Sequence, residues 1–450
     1  MNGQAMDRRN FTRLASGGLA LGLVPPTLWR LPGGAHVALV PSDLLVDGDR
    51  LNRTLTDLAR FGATPEGGVN RVAYSDADLA AREWVATLMR EAGLEVSVDF
   101  AGNLIGSRAG SDPDLPPLLL GSHIDSVPSG GNYDGQVGSM AALEVATTLA
   151  DAGHRTRHGL EFVIWSNEEG GKTGSRAISG EVEPAELDVR TASGFTIGEG
   201  TLRIGGDPSR LEDVRREPGS LTAYLELHIE QGAVLDRAGI DIGVVEGIVG
   251  IKRWNVTVEG SANHAGTTPM DQRRDALVSA ARMIEAVDRI ARTTPGRQVA
   301  TVGRVSAEPG APNVIPGRVT FSLEIRDLEM SKIDQVFAAI RDEATELAES
   351  DGTSVAFELF YTSRAAPTAL RLRDVIEAEA RRLSLATLRM PSGAGHDAQS
   401  VALLGPVGMI FVPSLAGISH SPLEMTTPEQ ITAGANVLLR SLLALDEDVV

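Results

Sequence analysis

Leu118-Leu119-Leu120-Gly121 and Phe162-Val163-Ile164-Trp165 are continuously apolar runs bounded by glycine or by polar turn residues. Such runs are too short for helices and fit strands buried on both faces, as in parallel sheets. They sit among stretches of helical periodicity between Leu51 and Gly247, and this alternation is α/β patterning. From Lys252 to about Tyr361 the texture changes. Val319, Phe321, Leu323 and Ile325 alternate with Thr320, Ser322, Glu324 and Arg326, so one face of this sheet is polar and helices are expected over the other. Two helices are predicted to supply that cover. One follows Pro269, where Thr268-Pro269-Met270-Asp271 offers a cap, a proline at the opening turn and an acid at the positive helix end; the other runs from Ser331 to Glu349. The α/β texture returns from Ala369. The expected fold class is therefore α/β: a larger domain with a mixed sheet flanked by helices, into which a smaller α+β domain is inserted. The boundaries expected are 1–45, 46–247, 248–364 and 365–450.

The 450 residues are 42% hydrophobic and 22% charged, enough apolar surface for a sizeable core and too little for a multi-span membrane protein. Sixty acidic against 41 basic residues leave a net charge of -19, with no run of Lys and Arg able to track a phosphate backbone. This argues against a nucleic-acid partner. The absence of cysteine excludes disulfides, thiolate nucleophiles and Cys-ligated metals, leaving His, Asp and Glu as possible ligands. Near the N-terminus, Arg8-Arg9-Asn10-Phe11 precedes a Gly/Ala/Leu-rich run from Leu14 to Val24 closed by Pro25-Pro26. This resembles a bacterial twin-arginine export signal and implies a periplasmic or secreted protein, or a cytoplasmic one if the signal does not function. The run is too short and glycine-diluted for a stable membrane span.

Only eight histidines are present, and His123, His228, His264, His396 and His420 lie in segments dense with glycine and carboxylates. His123-Ile124-Asp125 follows an apolar strand; period-2 geometry puts both polar side chains on one face at its carboxyl end, where a carboxylate can fix the imidazole tautomer. Asn132-Tyr133-Asp134-Gly135 places another carboxylate before a helix expected from about Gln136, although a plain turn explains Asp134 equally well. The strand Leu160 to Trp165 empties into Ser166-Asn167-Glu168-Glu169-Gly170. Adjacent glutamates point in different directions, so one can bind a metal while the other faces a water on it. His228 falls on the polar side of an alternating strand, Tyr224 to Glu230, and His420 in a loop beyond the apolar run Met409 to Val412.

Taken together and in order, these segments resemble the hydantoinase/carbamoylase family, amidohydrolases of the superfamily that also contains zinc aminoacylases and glutamate carboxypeptidases. The resemblance runs from about Leu51 to the C-terminus and rests on Gly121-Ser-His-Ile-Asp-Ser-Val-Pro128, Glu226-Leu-His-Ile-Glu-Gln-Gly232, Asn263-His-Ala-Gly-Thr-Thr-Pro269 and Pro391-Ser-Gly-Ala-Gly-His-Asp397. It implies two divalent ions (zinc, manganese or cobalt) bridged by Asp134, with His123 and His228 completing one site and Glu169 and His420 the other. It further implies Glu168 as general base, Asp125 as orienter, and His264 as oxyanion donor. Gln231, Asn313, Arg326 and His396 become substrate contacts, with Arg326 the clamp on a carboxylate. The smaller domain is implied to be a lid and a dimerisation surface, giving a homodimer.

The activity implied is hydrolysis of the ureido C–N bond of N-carbamoyl-L-amino acids or related small ureido-carboxylates. Allantoate hydrolysis, a dipeptidase or aminoacylase activity, and a catalytically silent exported binding protein are the alternatives. One stretch departs from the family pattern. After Glu168-Glu169-Gly170, Gly171-Lys172-Thr173 reaches Gly174-Ser175-Arg176 sooner than in many relatives, where an aromatic-containing stretch intervenes. This leaves the pocket wall beside Glu169, and the choice of substrate, open.

Overall fold

A computed structural model describes residues 44–447; the twin-arginine segment lies outside them. The expected buried runs are strands of a nine-stranded mixed sheet. Its order is Glu95–Val98, Leu104–Arg108, Leu160–Trp165, Leu118–His123, Ala223–Ile229, Val407–Val412, Ile242–Ile248 and Ala366–Pro367, with Thr387–Ser392 also pairing with Ile242–Ile248. The strands from Leu118, Leu160, Ala223 and Val407 run mutually parallel at its centre.

Period-2 geometry sorts their side chains. Leu118, Leu120, Phe162, Ile164, Leu225 and Leu227 join a core with the helices Gly48–Leu58, Gln136–Asp151 and Pro428–Glu447. Leu119, Val163, Trp165 and Tyr224 pack on the opposite side with Ala398, Val401 and Phe411. Covered on both faces, these strands are apolar throughout their buried lengths except where they meet at the site.

A second, five-stranded antiparallel sheet comes from residues 250–363. Gly250–Glu259 lies between Arg318–Asp327 and Ser354–Ser363. The buried side chains Val319, Phe321, Leu323 and Ile325 face the helices Ala276–Thr293 and Met330–Asp351, as the alternation required. The first helix starts later than expected. Pro269 opens only a short 3-10 turn, Met270–Gln272, and the helix begins at Ala276, where the Asp275 side chain accepts from the Leu277 and Val278 amides. An aspartate with a free acceptor at that point caps better than the earlier Thr-Pro pair. Among the described residues, no helix is long and apolar enough to cross a membrane.

Candidate metal centre

Parallel strands deliver their carboxyl ends to one edge of the sheet, where α/β proteins place their sites. His123 is the last residue of its strand, and its Nδ1 donates to the Asp125 carbonyl at 3.0 Å. His228 stands near the end of Ala223–Ile229, with Nδ1 donating to the Ile229 carbonyl at 2.9 Å. These bonds assign the tautomers. Each ring therefore turns Nε2 toward Asp134, at 3.7 Å for His123 and 3.2 Å for His228, both measured to Oδ1. His228 is on the polar side of its strand, as read from the alternation, but that side is wholly buried.

Asp134 is held immediately before the helix Gln136–Asp151. Its neighbour Gly135 has φ +70°, and a Cβ there would fall 2.3 Å from the His123 Nε2, so this approach requires glycine. The other oxygen, Oδ2, faces His420 Nε2 at 3.2 Å and accepts from Gln231 Nε2 at 2.6 Å and Ser419 Oγ at 3.1 Å. Glu169 Oε1 lies 3.7 Å from the same His420 nitrogen. The donor atoms thus form two groups that share one carboxylate: His123, Asp134 and His228, and Asp134, Glu169 and His420. Within each, the donor atoms lie within 4.8 Å of one another. Asn167, Lys172, Gln231 and His420 all have φ between +51° and +58°. Non-glycine residues held there cluster where function needs an exact side-chain position.

The donor set fits cations. Two imidazoles and a half-exposed third meet the carboxylates of Asp134, Glu168 and Glu169, and Glu169 Oε1 is buried without a hydrogen-bond partner. Burial, reinforced by Asp134 and Glu168, pushes Glu169 up to about 10. Burial also raises Glu168, against the opposing pull of His123. Although burial opposes it, hydrogen bonding with His228 and His420 holds Asp134 well below the usual carboxylate range. His228 is itself drawn up to about 9, as Asp134 outweighs the effect of burial. A site so crowded with carboxylates is balanced by positive charge between them.

Glu168 stands to one side of this cluster, with Oε2 3.8 Å from His123 Nε2. Asp125 faces the His123 imidazole, as the spacing suggested, with Oδ1 3.6 Å from Nδ1, and it also does more. Its main-chain carbonyl holds His123, while its carboxylate oxygens accept the backbone N–H of Glu168 at 3.2 Å and of Glu169 at 3.1 Å. It therefore fixes the turn that aims the two glutamates apart. A third group of possible donors, Glu226, His228 and His396, is engaged otherwise. Glu226 bonds Ser122 Oγ, Tyr224 Oη and the Ala398 amide, and His396 Nε2 pairs with Ser392 Oγ at 2.8 Å.

Of the remaining expected residues, Gln231 and His396 join the cluster, the latter packed edge-on against His228 at 4.5 Å. Arg326 bonds Glu324 Oε1 at 2.7 Å and the Gly393 carbonyl at 2.6 Å, which places it on the loop leading to His396. His264 and Asn313 are exposed on a separate ribbon, Asn263–His264 with Val314–Ile315. Among the described residues, no hydrogen bond or ion pair joins either of them to the metal cluster.

Two supporting residues were missed in the sequence. Glu424 accepts from the Tyr133 and Asp134 amides and from Ser419 Oγ, so it carries Asp134 from the far end of the chain. Arg71 is wholly buried, and its guanidinium donates to the carbonyls of Ile124, Leu58 and Phe61, pinning the residue between His123 and Asp125. Nothing local marks either one; both act through long-range contacts. A cavity of about 230 Å3 opens beside Glu169, lined by Val72, Val127, Pro128 and Arg190 among others. A larger one of about 720 Å3, at Leu45 and Leu385, contains no histidine and none of this chemistry.

A histidine and carboxylate cluster at the ends of parallel strands is the arrangement of a metal-dependent hydrolase. The chain matches the model of Peptidase family M20/M25/M40 over residues 119–444, belongs to that family, and is a hydrolase acting on C–N bonds. Within the family it groups with the hydantoinase/carbamoylase amidases. It is 41% identical to the N-carbamoyl-L-amino acid amidohydrolase of Geobacillus stearothermophilus, over 88% of this chain and 98% of the relative. It is 34% identical to the allantoate amidohydrolase of Bacillus subtilis, over 85% and 93%. A hydantoinase/carbamoylase family amidase from Burkholderia multivorans superposes with a TM-score of 0.84 at 39% identity, covering 91% of this chain and all of that one.

Proposed function

We propose that this protein hydrolyses the ureido C–N bond of N-carbamoyl-L-amino acids, with two divalent ions held on either side of Asp134. The observation that carries this reading is the shared carboxylate: Oδ1 faces His123 and His228, while Oδ2 faces His420 and, beyond it, Glu169. Ions in these positions would polarise the ureido carbonyl and lower the pKa of the attacking water.

The chain's own groups do the rest. Glu168, beside the cluster with Oε2 3.8 Å from His123 Nε2, takes the proton from the water and returns it to the leaving nitrogen. Its raised pKa suits a group that must hold that proton between the two steps. Asp125 keeps Glu168 and Glu169 pointing apart. Gln231 and His396 contact the ureide, and Arg326 clamps the substrate carboxylate by charge-assisted hydrogen bonds. Ammonia, carbon dioxide and the free amino acid leave.

His264 and Asn313 belong to this chemistry only if residues 248–364 bring them to a second copy. Their ribbon is exposed and, among the described residues, makes no hydrogen bond to the cluster of its own chain, which supports a homodimer in which each lid serves the partner. Export through residues 1–45 completes the reading, since folding and metal loading would precede transport.

The test is ammonia release from a panel of N-carbamoyl-L-amino acids and allantoate by metal-reconstituted protein, with a chelated control. Metal-dependent release from the carbamoyl amino acids is expected. Release from allantoate alone would move the assignment to allantoate, and silence throughout would favour peptide or N-acyl substrates.

A further inference from the structure

The turn after the two glutamates, Gly170 to Thr173, places a lysine at the site. Lys172 is half-buried and held at φ +57°, a conformation non-glycine residues adopt rarely. Its backbone is fixed there: its amide donates to the Glu168 carbonyl at 2.9 Å, and its own carbonyl accepts from the Arg176 amide at 3.0 Å. The ammonium reaches the loop before His396. It donates to Gln399 Oε1 at 2.5 Å, and a Cβ on Gly395 would lie only 3.2 Å from Nζ. Among the described residues, no ion pair joins Lys172 to a carboxylate.

Arg326 holds the same loop from the other side, through the Gly393 carbonyl. The strap Gly393–Gly395, whose next residue packs against His228, is therefore bracketed by two cations. Arg326 already has Glu324 as a partner, whereas Lys172 hydrogen-bonds a neutral amide and reaches Glu168 only through space. A half-buried ammonium with no direct ion pair, beside a site that admits acids, is a receptor for one.

We propose that Lys172 is a specificity-determining residue that binds a second carboxylate of the substrate, so that the preferred ureides are N-carbamoyl dicarboxylic amino acids. This rests on the ureide reading above. Monocarboxylate ureides, allantoate included, offer one anion for Arg326 and none for Lys172.

The experiment compares kcat/KM for N-carbamoyl-L-aspartate and N-carbamoyl-L-glutamate with their neutral isosteres N-carbamoyl-L-asparagine and N-carbamoyl-L-glutamine, in wild type, Lys172→Met and Lys172→Arg. The wild type is expected to favour the dicarboxylates. Lys172→Met should lower kcat/KM for them by about ten- to a hundredfold, the range of one charge-assisted bond, while changing the neutral isosteres less than about threefold. Lys172→Arg should retain most of the preference. An equal loss on charged and neutral substrates would make Lys172 a structural residue and overturn the proposal, as would a wild type indifferent to the second carboxylate. A wild type active on no ureide at all would instead refute the ureide reading, and this inference with it.

Discussion

Replacing Asp125 by Asn tests how the two glutamates are aimed. In the native protein both carboxylate oxygens of Asp125 accept backbone N–H groups, from Glu168 at 3.2 Å and Glu169 at 3.1 Å, and the side chain is only 2% exposed. An amide in the same place keeps one acceptor and turns the other into a donor facing an N–H. One charge-assisted bond is lost, worth about 1.5 to 3 kcal/mol, or roughly 10- to 150-fold in an equilibrium or rate. His123 is affected less, because the Asp125 main-chain carbonyl holds its Nδ1 at 3.0 Å while the carboxylate stands at 3.6 Å. If two ions bind as proposed, the loss should fall on the one that Asp134, Glu169 and His420 would hold and on proton transfer by Glu168, more than on the one that His123 and His228 would hold. Metal stoichiometry by atomic emission after graded chelation, with kcat measured alongside, should show one ion leaving at lower chelator strength than in the wild type. Simultaneous loss of both ions, or unchanged affinity and kcat, would refute the reasoning.

Glu168→Gln should abolish turnover while leaving metal content unchanged, as elemental analysis and ammonia release can establish together; retained turnover would remove Glu168 from the base role. Arg326→Ala should raise KM for carboxylate ureides by about 10- to 150-fold, equivalent to about 1.5 to 3 kcal/mol, and leave substrates amidated at that carboxylate unaffected. Metal-free protein should lose thermal stability as pH rises from about 5 toward 10. Glu169, near 10 when folded against an ordinary 4.5, keeps a proton that the unfolded chain has released, and the benefit disappears as the folded group ionises. His228, near 9, acts in the same direction. Metal loading should flatten that slope, because the ligands then bind without their protons. Thermal melts across pH with and without chelator decide this, and identical slopes would contradict it.

The two sheets were legible from periodicity alone. Continuous runs such as Phe162 to Trp165 fit strands covered on both sides, and the alternation of Val319 to Ile325 fits a sheet covered on one; both are strands. The order of the site residues was legible too, because parallel strands must end on one edge and the glycine and carboxylate segments follow those ends. What the sequence could not supply was the contact between distant loops. Asp134 owes its position to Glu424 and Ser419, nearly three hundred residues away, and His123 to a buried arginine whose neighbours carry no motif. Asp125 read as a partner of its neighbouring histidine, which it is at 3.6 Å, but the folded chain also brings its carboxylate to the amides after another strand. Periodicity is a local property and survives in a linear string. The pairing of hydrogen-bond donors with acceptors across strands depends on register and loop path, and those exist only once the chain has folded.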